Sequence, residues 1–137
     1  MEDCYIKEED AEKEALTYFS NNYGWNLKPH PEGRNGVDIG GTTQDGKNVF
    51  IEVKWTWDKN GAPFNQESNQ NKIHMFYGFS QLIARVTTEN DIAILFLPYH
   101  RFFHSRLNKI EYTFKKLNFR LYFLYKDGSI KEYWAST

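Results

Sequence analysis

Residues 37–57 read VDIGGTTQDGKNVFIEVKWTW, and this stretch decides the fold. Asp45-Gly46 is a strong turn signal between two strand-like runs, Val37 to Thr43 and Asn48 to Trp57, so the stretch predicts a β-hairpin. In the second strand Val49, Ile51, Val53 and Trp55 fall on one face, and Phe50, Glu52, Lys54 and Thr56 on the other. Glu52 and Lys54, two apart, project side by side. The register matters for the remaining acid of the stretch. A two-residue Asp45-Gly46 loop pairs Thr43 with Asn48, hence Asp38 with Val53, on the wrong face for Glu52. Bringing the two carboxylates together requires a one-residue shift, from a bulge at Gly40-Gly41 or an odd-length loop.

Upstream, Ala11, Ala15, Leu16 and Phe19 recur at helical spacing over residues 8–22, with Gly24 as the stop. Glu8 and Glu12 lie on or beside the buried stripe of that helix. The KPHPEGRNG segment that follows reads as loop, because its prolines and glycines break either regular period. Downstream, a loop over residues 58–67 precedes a helix near Ser68 to Val86. Apolar residues cover most of its circumference, which predicts a largely buried helix with one polar stripe, His74, Gly78, Gln81 and Arg85. Residues 91–98, DIAILFLP, read as a strand covered on both faces. Phe103, Leu107, Ile110, Phe114 and Leu117 define a further amphipathic helix with Arg106, Lys109 and Lys116 on its solvent side. A last hairpin, Phe119–Trp134, turns at Lys126-Asp127-Gly128. The order helix, hairpin, helix, buried strand, helix, hairpin predicts an α/β (α+β) class: three layers, with a central mixed sheet flanked by helices.

With 137 residues and no flexible seam, the chain reads as a single domain, 1–137. Its longest uncharged apolar run, Ile92 to Pro98, is too short to span a membrane. The single cysteine, Cys4, offers neither an internal disulfide nor a Cys-rich zinc cage, and the first ten residues lack the apolar core of a signal peptide. The expectation is a cytoplasmic protein without a membrane partner. The net charge of −1 excludes a polycation that binds by bulk attraction. The charge is unevenly placed, however. Residues 1–20 carry seven acids against two bases, and residues 101–120 six bases against one acid.

Charge inside VFIEVKW is costly unless it is used or solvated. The other acid-x-Lys triplet, Asp45-Gly46-Lys47, lies in a turn where charge is ordinary. With Asp38 beside it, Glu52 would complete a hard, oxygen-only site suited to Mg²⁺ or Mn²⁺, with Lys54 adjacent. An antiparallel strand with one wet face is the bland alternative.

Taken in order, a helix with a buried-side Glu, a loop, Asp38, a hairpin, Glu52-Val53-Lys54, a helix and a buried strand resemble the PD-(D/E)xK nuclease superfamily. The resemblance runs over about residues 8–98, and in spacing it is similar to Holliday-junction resolvases and Mrr-type nucleases. It implies the restriction-endonuclease-like fold and a divalent-metal-dependent endonuclease. Asp38, Glu52 and the carbonyl of Val53 would be metal ligands, and Lys54 would orient or activate the attacking water. Glu12 would assist from the first helix, with Glu8 and Glu14 as competitors for that role. Substrate phosphates would meet the late basic segment, with Arg101, Arg106, Lys109 and Lys116 as the expected contacts, joined by Gln81 and Arg85 of the polar stripe. DNA is placed ahead of RNA as the partner, and a homodimer through the Phe119–Trp134 hairpin is expected. An inactive interaction or immunity module on the same scaffold, or an RNA-cleaving effector domain, are the competing readings.

Overall fold

The computed structural model describes residues 1–29, 37–56 and 69–134, with the side chains of residues 69–76 left aside. Helix α1 (Glu8–Tyr23) forms where expected. Ala11, Ala15 and Phe19, four apart, are fully buried, and Gly24 closes the helix at φ +67 with its N–H on the Ser20 carbonyl, a left-handed cap that glycine adopts without strain. The chain then makes a strand that the sequence reading placed partly in a loop, β1 (Asn26–Pro29). It is an edge strand, where Pro29 needs no ladder donor.

Strands β2 (Ile39–Thr42) and β3 (Asn48–Val53) form the hairpin. They are followed by α2 (Asn69–Arg85), β4 (Ile92–Pro98), α3 (Arg101–Arg106), α4 (Glu111–Lys116), β5 (Arg120–Leu124) and β6 (Ile130–Trp134). The six strands make one mixed sheet in sequence order. Pairings β3–β4 and β4–β5 are parallel; the other three are antiparallel. The result is a mixed α+β architecture with four α-helices among the described residues.

Two cores sandwich the sheet. On one face, Ala11, Ala15 and Phe19 of α1 pack on Ile39, Val49, Ile51, Val53, Ile94 and Phe96. On the other, Leu82 of α2 and Phe102, Phe103, Leu107, Ile110 and Phe114 pack on Ala93, Leu95, Leu97, Leu121 and Phe123. Strand β4 is buried on both faces, as a parallel strand under two helical layers must be.

Three expectations change. The helix over residues 103–117 is broken: α3 ends at Arg106, Leu107–Lys109 tighten into a 3₁₀ turn, and α4 follows. The periodicity survives because Phe103, Leu107, Ile110 and Phe114 all still reach the core. Helix α2 is less buried than expected, since Tyr77 and Ile83, counted to its apolar cover, are exposed. Strand β3 also ends at Val53, short of Trp57, which lies outside the described residues together with the loop over residues 58–67 and Ser68.

The first residues are strapped across the strand ends. Cys4 N–H donates to the Tyr99 carbonyl at 2.7 Å, and Tyr99 N–H to that of Leu124 at 2.7 Å. Buried Thr56 holds the strap to the exit of β3: its Oγ donates to the Cys4 carbonyl at 2.6 Å and accepts from Ile6 N–H at 2.9 Å. The strap leads directly into α1 and so fixes where that helix starts. No helix among the described residues is long and apolar enough to cross a membrane.

Candidate active site

The site begins with the β2–β3 register. Thr42 lies opposite Asn48, and Ile39 opposite Ile51. Thr43 and Lys47 close the ladder (N–H to carbonyl, 2.9 Å) around a three-residue loop, Gln44–Gly46, with Gly46 at φ +88. Among the described residues only glycines and Asn118 have positive φ. Asp45 therefore does not, which excludes the two-residue type I′ turn and leaves the loop built on a glycine bulge. This is the odd-length loop that the paired carboxylates require. Asp38 lies one residue before the last ladder pair, Ile39 with Ile51, and its carboxylate faces Glu52.

Asp38 is the hub of the site. Its Oδ2 accepts the Val53 N–H at 2.7 Å, so Val53 enters the site through its amide. Glu8, Glu12 and Asp38 each bring a carboxylate oxygen within 4.8 Å of the others. Glu8 and Glu12, one helical turn apart, share a face of α1. Glu12 is pushed up to about 7 by burial first, then by the charges of Asp38 and Glu8. Glu52 is held well above the usual carboxylate range, by burial first and by Asp38 second, with Lys54 pulling the other way. Glu14 stands apart from this set: it is exposed and lies near Cys4, whose thiol is pushed up to about 11, mainly by burial.

Lys54 Nζ sits 3.6 Å from Glu52 Oε1. The two residues are only 3% and 4% exposed. Trp55 and Tyr77 rings flank the ammonium, their centroids 5.6 and 5.7 Å away. Above the pair lies Gly78 of α2, where a Cβ would come 2.4 Å from Lys54 Cε. The polar stripe of α2 thus faces the site at Gly78, with Gln81 and Arg85 half-buried further along the helix; the side chain of His74 lies outside the described residues.

The basic segment is not gathered at the carboxylates. Strands β3, β4 and β5 run parallel, so Arg101, at the exit of β4, shares the Lys54 end of the sheet, whereas Lys116 precedes the opposite end, where β5 is entered. Arg101 bonds Asp3 at 3.1 Å, Arg106 lies over the Phe102 ring at 3.9 Å, Lys116 Nζ lies 5.8 Å from the Tyr112 ring centroid, and Lys109 is exposed. His100 Nδ1 caps α3 by accepting Phe102 N–H at 3.0 Å, and His104 faces the Tyr133 hydroxyl at 3.3 Å.

From the sequence Glu8 is only a competitor of Glu12, although their four-residue spacing puts both on one face. The sequence assigns no role to Gly78, whose signal is a glycine in the middle of a helix.

What can this arrangement do? Four carboxylates and one ammonium in a half-buried space are short of positive charge. Glu52 Oε2 lies buried with no hydrogen-bond donor among the described residues. Protons or a cation must supply the balance. An all-oxygen donor set suits a hard divalent ion. In comparison with known proteins, no family model and no curated sequence matches the chain.

Proposed function

We propose that the protein is a divalent-metal-dependent phosphodiesterase of the PD-(D/E)xK, restriction-endonuclease-like kind, acting on nucleic acid, with DNA ahead of RNA. One observation carries the reading: the carboxylate of Asp38, just before β2, faces Glu52 of β3, with Lys54 3.6 Å from Glu52 and the α1 carboxylates within 4.8 Å of Asp38. Asp38 and Glu52 would hold a Mg²⁺ or Mn²⁺ ion, with the Val53 carbonyl and Glu12 as further groups. Such an ion supplies Lewis acidity and lowers the pKa of a bound water. The chain's own residues do the rest. Val53 N–H fixes one oxygen of Asp38 and so holds its carboxylate in the cluster. Glu12, pushed up to about 7 by burial and its acidic neighbours without an ion, would lose its proton beside a bound ion and assist as a carboxylate that accepts from a water. Lys54 offers a compact charge to a non-bridging phosphate oxygen or to the water. Arg101, at the same end of the sheet, would hold a flanking phosphate, with Arg106, Lys109, Lys116, Gln81 and Arg85 as outlying contacts. A homodimer through β5–β6 and a cytoplasmic setting belong to the same proposal.

The test is a panel of duplex, branched and single-stranded DNA and RNA incubated with Mn²⁺. Cleavage that disappears in Asp38→Ala and Lys54→Ala, both still folded, supports the assignment; undiminished cleavage in both variants refutes it. The near-complete burial of Lys54 and Glu52 favours a second reading, an inactive module in which the ion pair is structural. Calorimetry separates the two, because that module would bind no Mn²⁺.

A further inference from the structure

Gly78 lies in the interior of α2, where glycine weakens a helix relative to alanine. It is not needed for a left-handed backbone, since the positive-φ glycines are Gly24, Gly46 and Gly128. What position 78 provides is room. A Cβ there would come 2.4 Å from Lys54 Cε, 3.3 Å from Glu52 Cγ and 3.4 Å from Lys54 Nζ. The first distance is far inside van der Waals contact, and the flexible end of the lysine is what must give way.

We propose that Gly78 is a positioning residue for Lys54: its missing side chain is the slot in which the lysine stem lies, and filling the slot drives the ammonium from Glu52. The consequence for catalysis rests on the role given to Lys54 above, but the displacement itself does not. Alanine strengthens the helix while moving the lysine, so Gly78→Ala separates stability from function.

Two readouts test this on the full-length protein. The first needs no activity: labelling of Lys54 by an amine-reactive acylating reagent, quantified by mass spectrometry. In the parent protein Lys54 is protected. In folded Gly78→Ala it labels on the order of tenfold faster, as expected for a group leaving a close-packed site; unchanged protection overturns the proposal. The second readout is cleavage with Mn²⁺, where a misplaced ammonium lowers kcat on the order of 100-fold with KM little changed. A loss confined to KM counts against positioning. If the parent protein cleaves nothing, the phosphodiesterase reading fails while the labelling result still decides the role of Gly78. If Gly78→Ala does not fold, Gly78→Ala combined with Lys54→Ala decides, at pH 5 and beside Lys54→Ala alone: recovery of folding supports the slot, and failure where Lys54→Ala folds overturns it.

Discussion

At the scale of single residues, burial first and the charge of Asp38 second raise the proton affinity of two carboxyls on different elements, Glu12 on α1 and Glu52 on β3. The folded state therefore binds protons more tightly than the unfolded chain at these carboxyls. It follows that stability falls as pH rises. For Glu12 the window runs from its ordinary value of 4.5 to about 7. Because Glu12 is only half-buried, the loss is expected to be about 1–2 kcal/mol, the full linkage value being cut by solvent screening. Urea unfolding between pH 5 and pH 8 measures it. Glu12→Gln should flatten that part of the profile; an unchanged slope would remove Glu12 from the cluster. The buried pair behaves differently. Lys54 pulls Glu52 back toward ionisation, so without it the carboxyl holds its proton to higher pH and stability falls more steeply toward alkaline pH than in the parent. Lys54→Ala is accordingly expected to be much less stable at pH 8 than at pH 5, which thermal melts at the two pH values would reveal.

At the scale of elements, the loop Gln44–Gly46 sets the chemistry of strands it does not belong to. With Thr43 closed on Lys47, every residue of β2 is matched one step away from the pairing that a two-residue turn gives, and Asp38, just before β2, is brought to Glu52. Gly46, at φ +88, makes the loop possible. Gly46→Val places a β-branched side chain in the left-handed region, and a loss of about 1–2 kcal/mol is expected. Measured by urea unfolding, a neutral result would mean that the loop relaxes to another form, and with it the register. Helix α1 contributes differently: its four-residue repeat buries Ala11, Ala15 and Phe19 while turning Glu8 and Glu12 to the edge of that buried face.

At the scale of the whole molecule, the site collects groups from both sides of the sheet: α1 packs on one face, while Glu52, Lys54 and Gly78 meet on the other. A cation that draws the carboxylates together would brace the molecule across its layers, by an amount set by its concentration relative to its affinity. Mn²⁺ should raise Tm more at pH 8 than at pH 5, where protons compete for the same oxygens. An equal rise at both pH values would point to binding elsewhere. Much of this organisation was legible in the sequence, because hydrophobic periods of two and of 3.6 residues report burial directly. They located α1, the hairpin and the doubly covered β4, and the parity of Asp38 against Glu52 exposed the need for an odd loop. What escaped was set by contacts distant in sequence. Strand β1 exists because β2 offers it a ladder, against the turn-forming character of Lys28-Pro29. The break between α3 and α4 leaves the hydrophobic period intact, so nothing in the pattern announces it. The meeting of Gly78 with Lys54 depends on how α2 crosses β3, which no local period encodes.

The strap that ties Cys4 and Ile6 to Thr56 and Tyr99 has one more consequence. It sets the point from which α1 departs, and so the distance between the acids of that helix and those of the strands. A protease cut just before Glu8 would leave all four carboxylates and the lysine in the chain, yet cast α1 loose from the strand ends. The amino-terminal segment thus acts as a mooring line: its loss would disable the cluster without altering any residue in it.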